Sequence, residues 1–358
     1  MPPPLSAIDA ISPAFNHTKR ELFQPFRLAF WARMALVAVM TGEFYSSGGW
    51  SGFRYAAAGR HNRTNRPILT FVSPNLESLR PYFSLIVLGA LLVVAGVIFW
   101  LYVSSVFRFI LFNTVLTNRC NLKEEWQRWR SQGVRFFYWW ICFGLGVMAS
   151  LGILAGAAVL VALKSGAFQN PRQHAALLVL GGIGLFLALA SLLVSAALIS
   201  LFAKDFVVPV MALENLGVVD GWRRVIGMLK AEKAAYAGYV LMKIVLAVGS
   251  AVLFGILTLV ALIALLVPLS IAGYGAYSLA RAEGLLLSPV TIGIAVLLGS
   301  AALALLVYVA AFVSAPAMVF FQAYLIHFLG SRYSILGERL PLPGPPPLST
   351  SAASSPTG

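Results

Sequence analysis

Five stretches of this chain are too long and too apolar to belong to a water-soluble fold. They cover residues 82–116, 134–163, 176–203, 236–267 and 289–313. A helix crossing a bilayer needs ~20 consecutive, mostly apolar residues, and each run exceeds that length. In hydrocarbon the backbone must bond within its own segment, so such runs become helices. Composition agrees: 59% of the 358 residues are hydrophobic and 11% are charged, where a soluble domain carries about 25% charged residues. A soluble enzyme, a secreted disulfide scaffold and a disordered chain are excluded. An all-α polytopic membrane protein remains.

A shorter run at 28–45, LAFWARMALVAVMTGEFY, contains Arg33. It reads either as a sixth span or as an amphipathic helix lying in the interface. Charge favours the span, because Lys and Arg gather on the cytoplasmic side. With six spans and an inside N-terminus, fifteen cations face inward: Lys19, Arg20, Arg27, Arg119, Lys123, Arg128, Arg130, Arg135, Lys204, Arg223, Arg224, Lys230, Lys233, Arg332 and Arg339. Eight face outward: Arg54, Arg60, Arg63, Arg66, Arg80, Lys164, Arg172 and Arg281. Both termini are then cytoplasmic. The net charge of +14 is spread over many short loops, which suits anionic lipid headgroups and not nucleic acid.

An internal repeat gives the same count. RFILFNTVLTNRCNLKEEWQRW from Arg108, DFVVPVMALENLGVVDGWRR from Asp205 and APAMVFFQAYLIHF from Ala315 align approximately. Phe109 corresponds to Phe206, Trp126 to Trp222, Pro209 to Pro316 and Met211 to Met318. Each unit opens on basic and aromatic residues before an apolar run. The expected architecture is six transmembrane helices as three tandem hairpins, forming one domain over 1–340. Amphipathic inner helices connect them: Val218, Trp222, Val225, Ile226 and Leu229 share a face, as do Leu122, Trp126 and Trp129. The Gly- and Ser-rich loop 42–81 lies outside, 268–287 folds back along the outer interface, and the Pro/Ser-rich tail 341–358 is disordered. The start, MPPPLSAIDAISPAF, lacks the basic-then-apolar pattern of a cleavable signal.

Ionisable groups in a bilayer are costly and need partners or a function. Arg33, Arg108, Asp205 and Lys243 qualify, and Glu214 ends the same apolar stretch as Asp205. Snorkelling to the inner face accounts for cations near helix ends. The repeat suggests more, since Arg108 and Asp205 hold equivalent positions. They are expected to face one another, with Lys243 or Glu214 completing a polar network. Pro209 and Pro316 should bend their spans near the inner end. Gly152 and Gly156 form a GxxxG helix-packing surface. Cys120 and Cys142 fit no metal or disulfide pattern, and the four histidines lie far apart in sequence. No metal, cofactor or catalytic constellation is expected: HExxH, GxSxG and GxxxxGK[ST] are all missing.

The stretch FAKDFVVPVMALENLGVVDGWRRVIGMLKAEK resembles a signature of bacterial integral-membrane proteins, carried by Phe206, Pro209, Glu214, Trp222 and Arg223. That group resembles the membrane domain fused to some glycerophosphodiester phosphodiesterases. The resemblance implies a six-helix inner-membrane protein, without the catalytic domain. The expected role is non-catalytic: organising lipid, a partner complex or a homo-oligomer through the inner surface helices, with anionic headgroups as partners. The alternative is a small permease with a polar path near Arg108 and Asp205. Deep positions are mostly Leu, Val, Ala and Gly, which favours the first.

Overall fold

Apolar runs of this length leave the backbone one way to bond itself, and each becomes a helix. The computed structural model describes residues 4–24, 28–42, 83–118, 121–165, 174–284 and 288–340. Among these residues the fold is helical, with no strand. In chain order the helices are α1 (Ile11–Phe23), α2 (Leu28–Thr41), α3 (Phe83–Thr117), α4 (Leu122–Lys164), α5 (Ala175–Phe202), α6 (Val208–Glu214), α7 (Val218–Ala231), α8 (Lys233–Ala282), α9 (Pro289–Gly330) and α10 (Ser334–Gly337). A π turn, Ala203–Val207, joins α5 to α6.

Five helical stretches are long and apolar enough to cross a membrane: Val87–Thr117, Leu122–Lys164, Leu178–Glu214, Lys233–Ala282 and Val290–Gly330. The chain is therefore read as a multi-pass membrane protein. Six spans were expected, and α2 accounts for the difference. Its 14 residues reach about 21 Å at 1.5 Å per residue, short of a hydrocarbon core ~30 Å thick. It packs across α9 and α3. Tyr308 of α9 donates to the Ala32 carbonyl at 3.3 Å, and Ser104 of α3 donates to the Thr41 carbonyl at 3.0 Å.

Two other expectations change. Leu122, Trp126 and Trp129 do not form a separate connecting helix, because they are the first turns of α4 and run unbroken into its span. Residues 268–282 do not fold back: α8 passes through Pro268 to Ala282. Proline costs a helix one backbone bond, a loss membrane helices tolerate. The outer loop 42–81 and the tail 341–358 lie almost wholly outside the described residues. The helix over 218–231 does form, with Val218, Gly221 and Val225 buried. Its apolar stripe is centred on Gly221, which leaves Ile226 42% exposed.

Burial is concentrated at one end of the long helices. The core comprises Val106 to Val115 of α3, Trp129 and Phe136 of α4, Ala203 to Met211, Tyr236 and Tyr239 of α8, and Ala311 to Leu329 of α9. Helices α1, α2, α7 and α10 close around it. Beyond this end, side chains such as Leu91, Ile153, Phe186, Val252 and Leu297 are exposed. Hydrocarbon is their solvent in a membrane, so they need no protein partner. The boundary carries Arg108, Lys204 and Trp140, where both cations lie 5.5 Å from the Trp140 ring. From Arg108 back to Phe83, α3 climbs about 38 Å, and from Trp140 to Lys164, α4 climbs about 36 Å, close to one bilayer thickness. Helices α8 and α9, with 50 and 42 residues, exceed it and must tilt or project.

Candidate functional site at the packed end of the helices

The π turn places Asp205. Pro209 has no N–H to return to the carbonyl four residues earlier, and the backbone widens just before it into the i→i+5 pattern. The turn points Asp205 inward, where it is 6% exposed. Tyr239 and Lys243 approach from α8, one helical step apart and so on the same face. The Tyr239 hydroxyl donates to Asp205 Oδ2 at 3.0 Å, and Lys243 Nζ forms an ion pair with the same oxygen. Tyr239 stacks on Tyr324 of α9 at 5.1 Å. Tyr324 in turn donates to the Ala7 carbonyl at 2.9 Å, ahead of α1. One carboxylate thus anchors a line of contacts from α5 through α8 and α9 to the N-terminal segment.

Arg108 and Asp205 line the same small recess, with Leu111, Phe112, Lys204, Val208, Pro209 and Gln322. The ion pair of Asp205 is nevertheless with Lys243. Glu214 belongs to a second group: it accepts from the Tyr333 hydroxyl and lies 3.3 Å from Arg224. Burial, together with that hydrogen bond, pushes the Tyr333 phenol above its ordinary value. Arg223 faces outward, paired with Asp220 at 3.3 Å. Trp222 turns inward, its ring 5.8 Å from Trp139. Pro316 lies within the unbroken α9, and Arg33 is exposed on α2.

Among the described residues no other helix of the chain approaches the GxxxG glycines. A Cβ at Gly152 or Gly156 would meet no atom within 4 Å. Between the long helices a close approach is at Gly133, where a Cβ would lie 2.5 Å from Val106 Cγ2 and 2.9 Å from Val106 Cα. There α4 presses directly on the α3 backbone.

Sequence reading also missed a buried histidine cluster. His17 of α1 and His327 of α9 meet edge to face at 5.3 Å. The Nε2–H of His17 is shared between Glu21 Oε1 at 2.9 Å and the Val115 carbonyl at 3.2 Å. Burial opposes a charged imidazole, but the Glu21 carboxylate and the Val115 carbonyl outweigh it, and the His17 pKa rises. Burial also raises the pKa of Glu21, against the pull of His17. The His17–Glu21 spacing of i, i+4 was the available signal, and nothing local pointed to His327. Among the described residues no group of three or more His, Cys, Asp and Glu side chains is arranged to hold a metal. Cys142 is free and exposed, and Cys120 and His61 lie outside the described residues.

Residues 5–338 match a family of unknown function, DUF7544. The chain belongs to this family. The DUF7544 match takes in all ten helices described above and both polar groups. No curated protein and no solved structure matches the chain. The resemblance to the membrane domain of glycerophosphodiester phosphodiesterases has no counterpart in these comparisons.

Proposed function

We propose that this DUF7544 protein is a non-catalytic organiser of the bacterial inner membrane, gathering anionic lipid or a partner complex at its packed, basic end. The observation that carries the reading is the boundary itself. Arg108 and Lys204 lie over Trp140, Lys243 lies beside Asp205, and α7 presents Arg223, Arg224 and Lys230 on an exposed face. Cations and tryptophans at one depth are what a headgroup layer selects. The packed end faces the cytoplasm in this reading, and the exposed Lys19, Arg20, Arg223, Arg224 and Lys230 at that end support it. Tandem hairpins fit it: α4 packs on α5, and α8 on α9. Asn118 and Asn215 close the ends of α3 and α6 with left-handed backbones, φ 52° and 55°, at the same separation as Phe109 and Phe206.

The test is thermal stabilisation of the purified full chain by phosphatidylglycerol against phosphatidylcholine. Preferential stabilisation that falls when Arg223, Arg224 and Lys230 are changed to Gln supports the role. Equal stabilisation by both lipids contradicts it. A second reading, a permease, draws on the recess between Arg108 and Asp205. Solute flux in proteoliposomes that is abolished by Asp205→Ala would favour it instead.

A further inference from the structure

Helix α1 turns a row of aromatic and basic side chains away from the molecule. Phe15, Lys19 and Phe23 recur every four residues and so share a face. Phe15 is 61% and Phe23 50% exposed, and Lys19 and Arg20 are exposed beside them. Ile8 before the helix and Leu28 after it are exposed as well. Glu21, the one carboxylate of α1, is buried against His17, and the exposed Asp9 in the turn before it accepts from Ser6 at 2.6 Å.

The opposite face is fastened, so α1 cannot roll to cover these rings. Arg332 donates to the Leu5 carbonyl at 2.8 Å, Tyr324 to the Ala7 carbonyl, and His17 to the Val115 carbonyl of α3. The exposed row is also continuous with the apolar surface of the spans. Phe23 meets Trp31 edge to face at 5.2 Å, and Trp31 stacks on Phe312 of α9 at 5.7 Å.

We propose that this face of α1 rests on the anionic surface of the protein's own membrane. Phe15 and Phe23 enter the boundary between headgroups and acyl chains, and Lys19 and Arg20 meet lipid phosphates. The inference rests on the membrane reading above and deepens it, by assigning the contact to a helix with no span of its own.

The experiment places a spin label at Asn16→Cys in the full chain, with Cys120→Ser and Cys142→Ala, in vesicles of phosphatidylcholine with or without phosphatidylglycerol. A label at Leu187→Cys in α5 serves as the reference. Collision with oxygen against a water-soluble nickel chelate reports depth. The Asn16 label should sit in the oxygen-rich boundary, deeper when phosphatidylglycerol is present. Lys19→Gln with Arg20→Gln should remove that lipid dependence, and Phe15→Ala with Phe23→Ala should move the label toward water in both lipids. An embedded Leu187 label with an aqueous Asn16 label overturns the assignment of α1 alone. A Leu187 label in water overturns the membrane reading and this inference with it. Spin–spin broadening at Asn16 that disappears on dilution with unlabelled protein would put a second copy on the face and also overturn the proposal.

Discussion

Asp205 takes two donors from one face of α8, and the two should differ sharply from an apolar replacement. Lys243→Met leaves a buried carboxylate with the Tyr239 hydroxyl alone, at a cost on the order of 3 kcal/mol. Asp205→Leu combined with Lys243→Met should recover most of that loss, measured as thermal unfolding in detergent. The glycines provide a second contrast. Gly133→Ala forces a Cβ against the backbone of Val106 and should cost about 1–3 kcal/mol. Gly152→Ala and Gly156→Ala meet nothing and should stay within about 0.5 kcal/mol. The importance of Asp205 and Lys243 was legible in the sequence, since charges within apolar runs need an explanation. The sequence offered Lys243 beside Arg108 and Glu214 as partners of Asp205 without choosing among them, because the choice depends on a π turn that re-aims one residue toward a helix 38 positions on. The GxxxG spacing did not find the close approach between the long helices, at Gly133, for a similar reason. Spacing shows that a helix face is flat, and only the fold decides which flat face meets a neighbour.

At the scale of elements, the docking of α1 should respond to pH. His17 and Glu21 both have raised pKa values in the folded chain. Each holds its proton more tightly when α1 is docked than when it is free, so docking takes up protons. The contribution of these two groups is fullest at low pH; that of Glu21 declines as pH rises past the ordinary carboxylate value, about 4.3, and that of His17 past the ordinary histidine value, about 6.5. Amide exchange along Ile11–Phe23, corrected for intrinsic rates, should therefore quicken above neutrality. Glu21→Gln should flatten the dependence by removing the carboxylate that raises His17. The long helices were legible from apolar length alone. Helix α1 was not, because its buried face uses Ala14, His17, Thr18 and Glu21, residues that no hydropathy pattern selects. The division between α4 and its first amphipathic turns was misread because a change in polarity along a chain does not require a break in its helix.

For the whole molecule, the defining feature is a division of labour along the helix axes. One end is a protein core closed by short helices, and the other is a set of apolar surfaces whose solvent is the bilayer. In the proposed reading, the cations and Trp140 at their junction lie at headgroup depth. A scan of single spin labels along α5 and onward to α7 tests this most directly, with the full chain in a lipid bilayer. Depth should be greatest near Leu187, return to the headgroup level at Lys204, and give way to water by Asp220. A depth maximum at Asp205, or a uniform aqueous signal along α5, would contradict the account.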